Sequence, residues 1–160
     1  MAKVSAGLLL FRRAPDGVQV LLAHLGGPFF ASKDLNAWGV PKGEVEEGEE
    51  PLTAARREFE EETGFAPVGP FLPLQSVKQK SGKVVQAWAV EGEFDPRLLV
   101  SNTFELEWPR GSGKMQAFPE IDRAEWFSLE AARKKILAAQ AAFLDRLAAS
   151  LSLTGSGSIL

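Results

Sequence analysis

The stretch from residue 43 to residue 65, GEVEEGEEPLTAARREFEEETGF, constrains this chain more than any other. Pro51 has a fixed φ and no N–H to satisfy, which suits the first turn of a helix. Leu52, Ala55 and Phe59 then recur at spacings of three and four and share one helical face. Gly64 is the stop signal that such a helix calls for. The other face carries Glu58, Glu61 and Glu62 at i, i+3 and i+4, so three carboxylates crowd within one turn. Like charges so placed destabilise a helix by roughly 0.2–0.5 kcal/mol per pair. Glu near the last turn also opposes the helix dipole. A hard divalent cation resolves both problems, because Mg²⁺ and Mn²⁺ prefer oxygen ligands. The alternative is a solvated acidic face, and the helix pattern by itself leaves both readings open. Arg57 can pair with Glu61 or reach back to orient a carboxylate.

The wider spacing carries more. Gly43 is followed by five residues and Glu49, then by seven residues and Arg57-Glu58. Phe59, Glu60, Glu61-Glu62, Thr63, Gly64 and Phe65 complete the stretch. This resembles the Nudix box, with every defined position filled. The resemblance implies a MutT-like Nudix hydrolase, of the α/β class. Its fold would be an α/β/α sandwich with a mixed β-sheet, and the box would form a loop–helix–loop. It also implies a metal-dependent reaction in which water attacks phosphorus and cuts a pyrophosphate linkage in a nucleoside diphosphate joined to another group X. Carried over by position, Glu58, Glu61, Glu62 and the carbonyl of Gly43 would hold Mg²⁺ or Mn²⁺. Arg57 would hold Glu58 in place, and Glu49 would lie behind the helix. Glu58 or a carboxylate outside the box would accept the proton from water.

A chain of 160 residues is long enough for one proper core, and one domain is expected over residues 1–153. Residues 154–160 read as a flexible tail. Net charge is −3 and the pI is about 5.3, which argues against a non-specific nucleic-acid binder. A small anionic nucleotide remains compatible, because metal can supply positive charge. There is no cysteine, hence neither a disulfide nor a thiolate zinc site, which fits a cytoplasmic protein. The apolar run near the N-terminus is too short for a membrane span and reads as a strand.

Residues 4–11 and 18–24 are apolar runs around Ala14-Pro15-Asp16-Gly17, and suggest a hairpin with a loop longer than two residues. His24, the one histidine, reads as structural. Phe29 and Phe30 sit in a glycine-rich loop, where they anchor the loop or stack on a base. Lys42 stands beside the phosphate site that the resemblance implies, and is a candidate phosphate contact or a plain surface lysine. Strands are expected at residues 72–79 and 83–94. The second alternates Val85, Ala87 and Ala89 against Gln86, Trp88 and Val90, as in a sheet buried on both faces.

Residues 101–119 suggest a hairpin with a polar loop. Arg110 and Lys114 in that loop are candidate substrate-phosphate contacts. Glu105, Glu107 and Glu120 are candidates for an extra carboxylate near metal or water. A last strand is expected at 122–127, with Trp126 and Phe127 packing inward. Ser128 should cap a short helix, followed by a longer one. Ile136, Gln140, Phe143, Leu144 and Leu147 form an amphipathic stripe that packs on the sheet or, as the other reading, joins a homodimer.

Markers for the group X are sparse. Diadenosine polyphosphate hydrolases often carry a downstream tyrosine, and this chain has none. ADP-ribose hydrolases often have a proline about where Lys80 stands. Pro41-Lys42-Gly43 resembles the opening of some dinucleoside polyphosphate hydrolases. Residues 104–127 resemble bacterial proteins described as predicted NTP pyrophosphohydrolases. The expected substrate is therefore a nucleoside triphosphate or a dinucleoside polyphosphate. ADP-ribose, another nucleotide conjugate, a capped RNA end and a non-catalytic binding module are the competing expectations.

Overall fold

The structure is a computed structural model and describes residues 3–154. Two long strands, β1 (Val4–Ala14) and β2 (Gly17–Leu25), start it. They pair only near their turn, from Phe11↔Val20 to Ala14↔Gly17, and then splay apart. Two short strands fill the gap. β3 (Trp38–Gly39) pairs with Ala23 and His24 of β2, while β4 (Lys42–Glu44) pairs with residues 5–7 of β1. This insertion carries Lys42 and Gly43 to the mouth of the splay.

β5 (Leu72–Lys78) and β6 (Val84–Glu91) extend the sheet on the other side of β1. The β1–β6 pair is parallel, and the remaining pairs are antiparallel. β9 (Ile121–Ser128) closes the far edge against β2. Among the described residues these strands make one mixed seven-stranded sheet. A separate two-stranded hairpin, β7 (Thr103–Glu107) and β8 (Met115–Pro119), stands beside it.

Helices cover both faces, as the sandwich requires. α1 (Pro51–Thr63) packs Ala54, Ala55 and Phe59 against Leu8, Leu10 and Leu21. On the other face lie α2 (Leu129–Lys135) and α3 (Ala141–Thr154), joined through a 3-10 turn. Ile136, Phe143, Leu144 and Leu147 pack there with Leu9, Leu22, Val85, Ala87 and Ala89. Alternating strand residues thus feed two cores, which is why β1 and β6 read as nearly continuous apolar runs. The stripe of residues 136–147 packs on the sheet. Residues 155–160 of the expected tail lie outside the described residues.

The first hairpin differs from expectation. Its loop is two residues, Pro15-Asp16, not longer. Arg12 and Arg13 lie beyond the apolar run of residues 4–11, yet they stay in the ladder, where both find partners. Arg12 donates to Gln19 and Glu93 at 2.8 and 2.9 Å and lies over the Trp126 ring, while Arg13 meets Glu91. β6 also stops at Glu91 rather than residue 94, and the Gly92 N–H makes the last bond to β1, on the Phe11 carbonyl. Trp126 and Phe127 pack into opposite layers, one beside α1 and one beside α2. His24 is buried and bonded to Asp122 and to the Lys33 carbonyl, in keeping with a structural role. No helix among the described residues is long and apolar enough to cross a membrane.

Candidate active site

α1 begins at Pro51 and ends where Gly64 takes a left-handed φ of 73°, with its N–H on the Glu60 carbonyl. This fixes the rotation of the helix. Phe59 goes to the core, Glu58 turns to the cleft beside Gly43 of β4, and Glu62 is buried.

Glu58 lies flat against Gly43. A Cβ at position 43 would come 2.0 Å from the Glu58 carboxyl carbon, so only glycine admits this contact. Glu62 is 1% exposed, and its Oε1 has no hydrogen-bond partner among the described residues. The solvated-face reading therefore fails for Glu62. Burial pushes its carboxyl up to about 8, and the neighbouring Glu58 and Glu120 push the same way, against Lys42. Glu58 is raised too, first by burial and then by Glu61, with Arg57 opposing.

Arg57 organises the other side of the helix. It grips Glu49 through two contacts, Nε to Oε2 at 2.8 Å and Nη2 to Oε1 at 3.0 Å. Its Nη1 reaches Glu58 and Glu61, each at 3.4 Å. Glu49 also accepts the Glu46 N–H, and the Arg57 contact holds its carboxyl down to about 2. Arg57 is held well above its ordinary value by the same partner. Glu49 is thus the anchor of Arg57, behind the helix.

The cleft beside these groups is a cavity of about 470 Å³. Lys42, Gly43, Glu58, Asn102, Phe104 and Glu120 are on its wall. Lys42 is half-buried, and burial, with the like charge of Lys83, pushes its ammonium below the ordinary value. Glu120 is exposed at the end of β8, where its carboxylate acts on Glu62, Glu58 and Lys42.

The other sequence candidates lie elsewhere. Glu107 accepts the N–H groups of Gly111 and Gly113 at 3.1 Å and so caps its own hairpin loop. Glu105 is exposed on β7, and neither residue lines the cleft. Arg110 and Lys114 sit at the hairpin tip, exposed and outside the cleft wall. A five-residue strand carries that tip about 17 Å from the hairpin base. Gln140 lines the cleft floor, which sequence reasoning missed because it stands within an apolar stripe.

Does the donor set suit a hard divalent cation? An orphaned buried carboxylate oxygen, a second carboxylate at van der Waals contact with a glycine backbone, and all-oxygen chemistry suit Mg²⁺ or Mn²⁺. No group of three carboxylates among the described residues closes into a ready cage. The reason is visible at Glu61, which is half exposed and leans on Arg57 instead.

The arrangement is that of an α/β protein built for phosphate chemistry: an acidic helix face, a glycine strand and a lysine on one wall. A NUDIX domain family model matches residues 1–147. The chain belongs to the NUDIX domain family. An uncharacterised 17.7 kDa protein of Enterobacteria phage T4 is 31% identical over 133 residues, covering 79% of this chain and 86% of that protein. An RNA pyrophosphohydrolase of Rhodospirillum rubrum is 41% identical over 64 residues, but covers only 38% of this chain and 37% of its own length. The crystal structure of a C. elegans Ap4A hydrolase binary complex superposes with a TM-score of 0.63 at 23% identity, covering 92% of this chain and 98% of that one, a likeness of fold.

Proposed function

We propose that this chain is a divalent-metal-dependent hydrolase of nucleoside triphosphates or dinucleoside polyphosphates, cutting a pyrophosphate linkage by attack of water at phosphorus. The observation that carries this reading is the buried, partnerless Glu62 Oε1 beside the Gly43–Glu58 contact. The names of the R. rubrum and C. elegans proteins, an RNA pyrophosphohydrolase and an Ap4A hydrolase, support it as chemistry.

Glu58, Glu62 and the Gly43 carbonyl would hold the cation, and Glu61, now beside Arg57, would be a further ligand. A cation there neutralises phosphate charge and lowers the pKa of a bound water. Lys42 contacts a phosphate oxygen from the same wall. Arg57, clamped by Glu49, keeps the Glu58 carboxylate in one orientation. Glu120, which lines the same cleft as Glu58, would accept the proton of the attacking water. The water oxygen bonds to phosphorus, and the bridging oxygen leaves with the other phosphate.

The test is a Mg²⁺-dependent hydrolysis screen over nucleoside triphosphates, dinucleoside polyphosphates, ADP-ribose, NADH and coenzyme A. Glu62→Gln and Glu61→Gln should each lower kcat by about 100-fold or more while the circular dichroism spectrum stays unchanged. Glu120→Gln should lower kcat far more than it changes cation affinity. A folded Glu62→Gln protein with full activity would remove the metal assignment, and equal turnover in EDTA would remove metal dependence altogether.

A further inference from the structure

The cleft has a second polar wall that the cation site does not use. Alternate residues of a strand face opposite layers of the sandwich. In β1, Leu9 and Phe11 face α2 and α3, so Ser5 and Gly7 do too. Here β1 runs between β4 and β6, with Gly7 opposite Lys42 and Ala87, and Ser5 opposite Glu44 and Val85. A Cβ at position 7 would come 2.9 Å from the Lys42 Cβ, which puts the Lys42 side chain on that same face. Lys83 stands two residues before Val85, with the parity of the same layer. Gly43, next to Lys42, faces the other way and meets Glu58. The cation site and this wall thus lie on opposite sides of β4, and residues of both line the cleft of about 470 Å³.

The wall suits an anion. Ser5 is 6% exposed and lines the cleft, and its hydroxyl has no hydrogen-bond partner among the described residues. A buried hydroxyl left without a partner is costly. Lys42 and Lys83 both line the cleft, and neither ammonium has an ion-pair partner among the described residues. They stand close enough for Lys83 to disfavour the charged form of Lys42. Glu44, the carboxylate opposite Ser5, is taken by Lys3 at 3.4 Å. Over β1 between the two lysines, Gly7 has no side chain and Ser5 a short one, which leaves room for a ligand. Two unpaired ammonium groups and a hydroxyl above a bare strand match a phosphate group, whose oxygens accept from all three.

We propose that Ser5, Lys42 and Lys83 form an anion subsite that holds a phosphate of the substrate other than the one at the cation. The subsite rests on the hydrolase reading for its role, and on the wall of β1 for its existence. A polyphosphate chain laid across the end of β4 meets the cation on one side and the lysines on the other.

Calorimetric titration of inorganic tripolyphosphate into the intact chain in EDTA tests the subsite apart from the cation and the reaction. Wild type should bind it at a single site. Lys83→Ala should weaken binding about tenfold, as loss of a charge-assisted contact does, and Ser5→Ala about threefold, as loss of a neutral hydrogen bond does. Lys80→Ala removes the same charge from the same turn, but Lys80 does not line the cleft, so affinity should change by less than about twofold. Lys80 and Lys83 are exposed and Ser5→Ala removes only a hydroxyl, so folding is not at stake. In Mg²⁺, Lys83→Ala should also raise KM about tenfold for the triphosphate turned over in the hydrolysis screen. No binding of tripolyphosphate by wild type, equal weakening in Lys80→Ala and Lys83→Ala, or an unchanged KM in Lys83→Ala would overturn the subsite while leaving the hydrolase reading intact. Binding of tripolyphosphate without Mg²⁺-dependent hydrolysis of any nucleotide would overturn the hydrolase reading and the role of the subsite in it.

Discussion

At the scale of the residue, the site depends on how a crowded set of charges is held. Glu62 carries its proton to about pH 8 in the cation-free protein, because burial and two neighbouring carboxylates disfavour the anion. Unfolded, it titrates near 4.5. Between these values the folded state binds more protons than the unfolded state, so stability falls as pH rises. Thermal melts in EDTA should show Tm declining from pH 5 to pH 8, with the slope reduced in Glu62→Gln. An unchanged slope in that variant would show that Glu62 is not the group responsible. Glu49 works in the opposite sense. Its carboxyl is held down to about 2 by Arg57, so its contribution is present above pH 4.5 and is lost as pH falls toward 2. Removing the clamp by Glu49→Gln should cost about 10–100-fold in activity, as loss of a partner behind a ligand typically does. The carboxylates of α1 were legible in the sequence because their spacing and type are informative by themselves. Gln140 was not, because an amide on an apolar stripe looks like core until the cavity beneath it is seen.

At the scale of the element, local signals were read well where they are chemical. Pro51 and Gly64 bound α1, and the Ser128 hydroxyl accepts the Ala131 N–H at 3.1 Å to start α2. Ser128→Ala should destabilise the chain by about 1 kcal/mol, read as a lower urea midpoint with unchanged m-value. No change in midpoint would mean that packing alone holds α2. Tertiary partners misled where they override local chemistry. Arg12 and Arg13 stay in β1 because Gln19, Glu93, Trp126 and Glu91 receive them, and no sequence window contains all four. The hairpin of β7 and β8 was legible as a hairpin, but not in its direction. Its base brings Glu120 to the cleft, while Glu107 turns to cap its own loop.

At the scale of the whole molecule, the site is made by topology. The splay between β1 and β2 admits β3 and β4, and that insertion sets Gly43 against Glu58. α1 on one face supplies the carboxylates, and the α2–α3 connection on the other supplies the floor. The sandwich with its mixed sheet was legible from the acidic motif and the two-faced strands. The shape of the cleft was not, because it arises from segments more than fifty residues apart in the chain, such as Lys42 and Phe104. The most direct test of the central claim is calorimetric titration of Mn²⁺ into the cation-free protein and into Glu62→Gln. Wild type should bind and release protons at pH 7, since the carboxyl that is protonated to about pH 8 must ionise to act as a ligand. Glu62→Gln should bind at least about tenfold more weakly, with that proton release gone. Equal affinity and equal proton release in the two proteins would contradict a cation held between Gly43, Glu58 and Glu62.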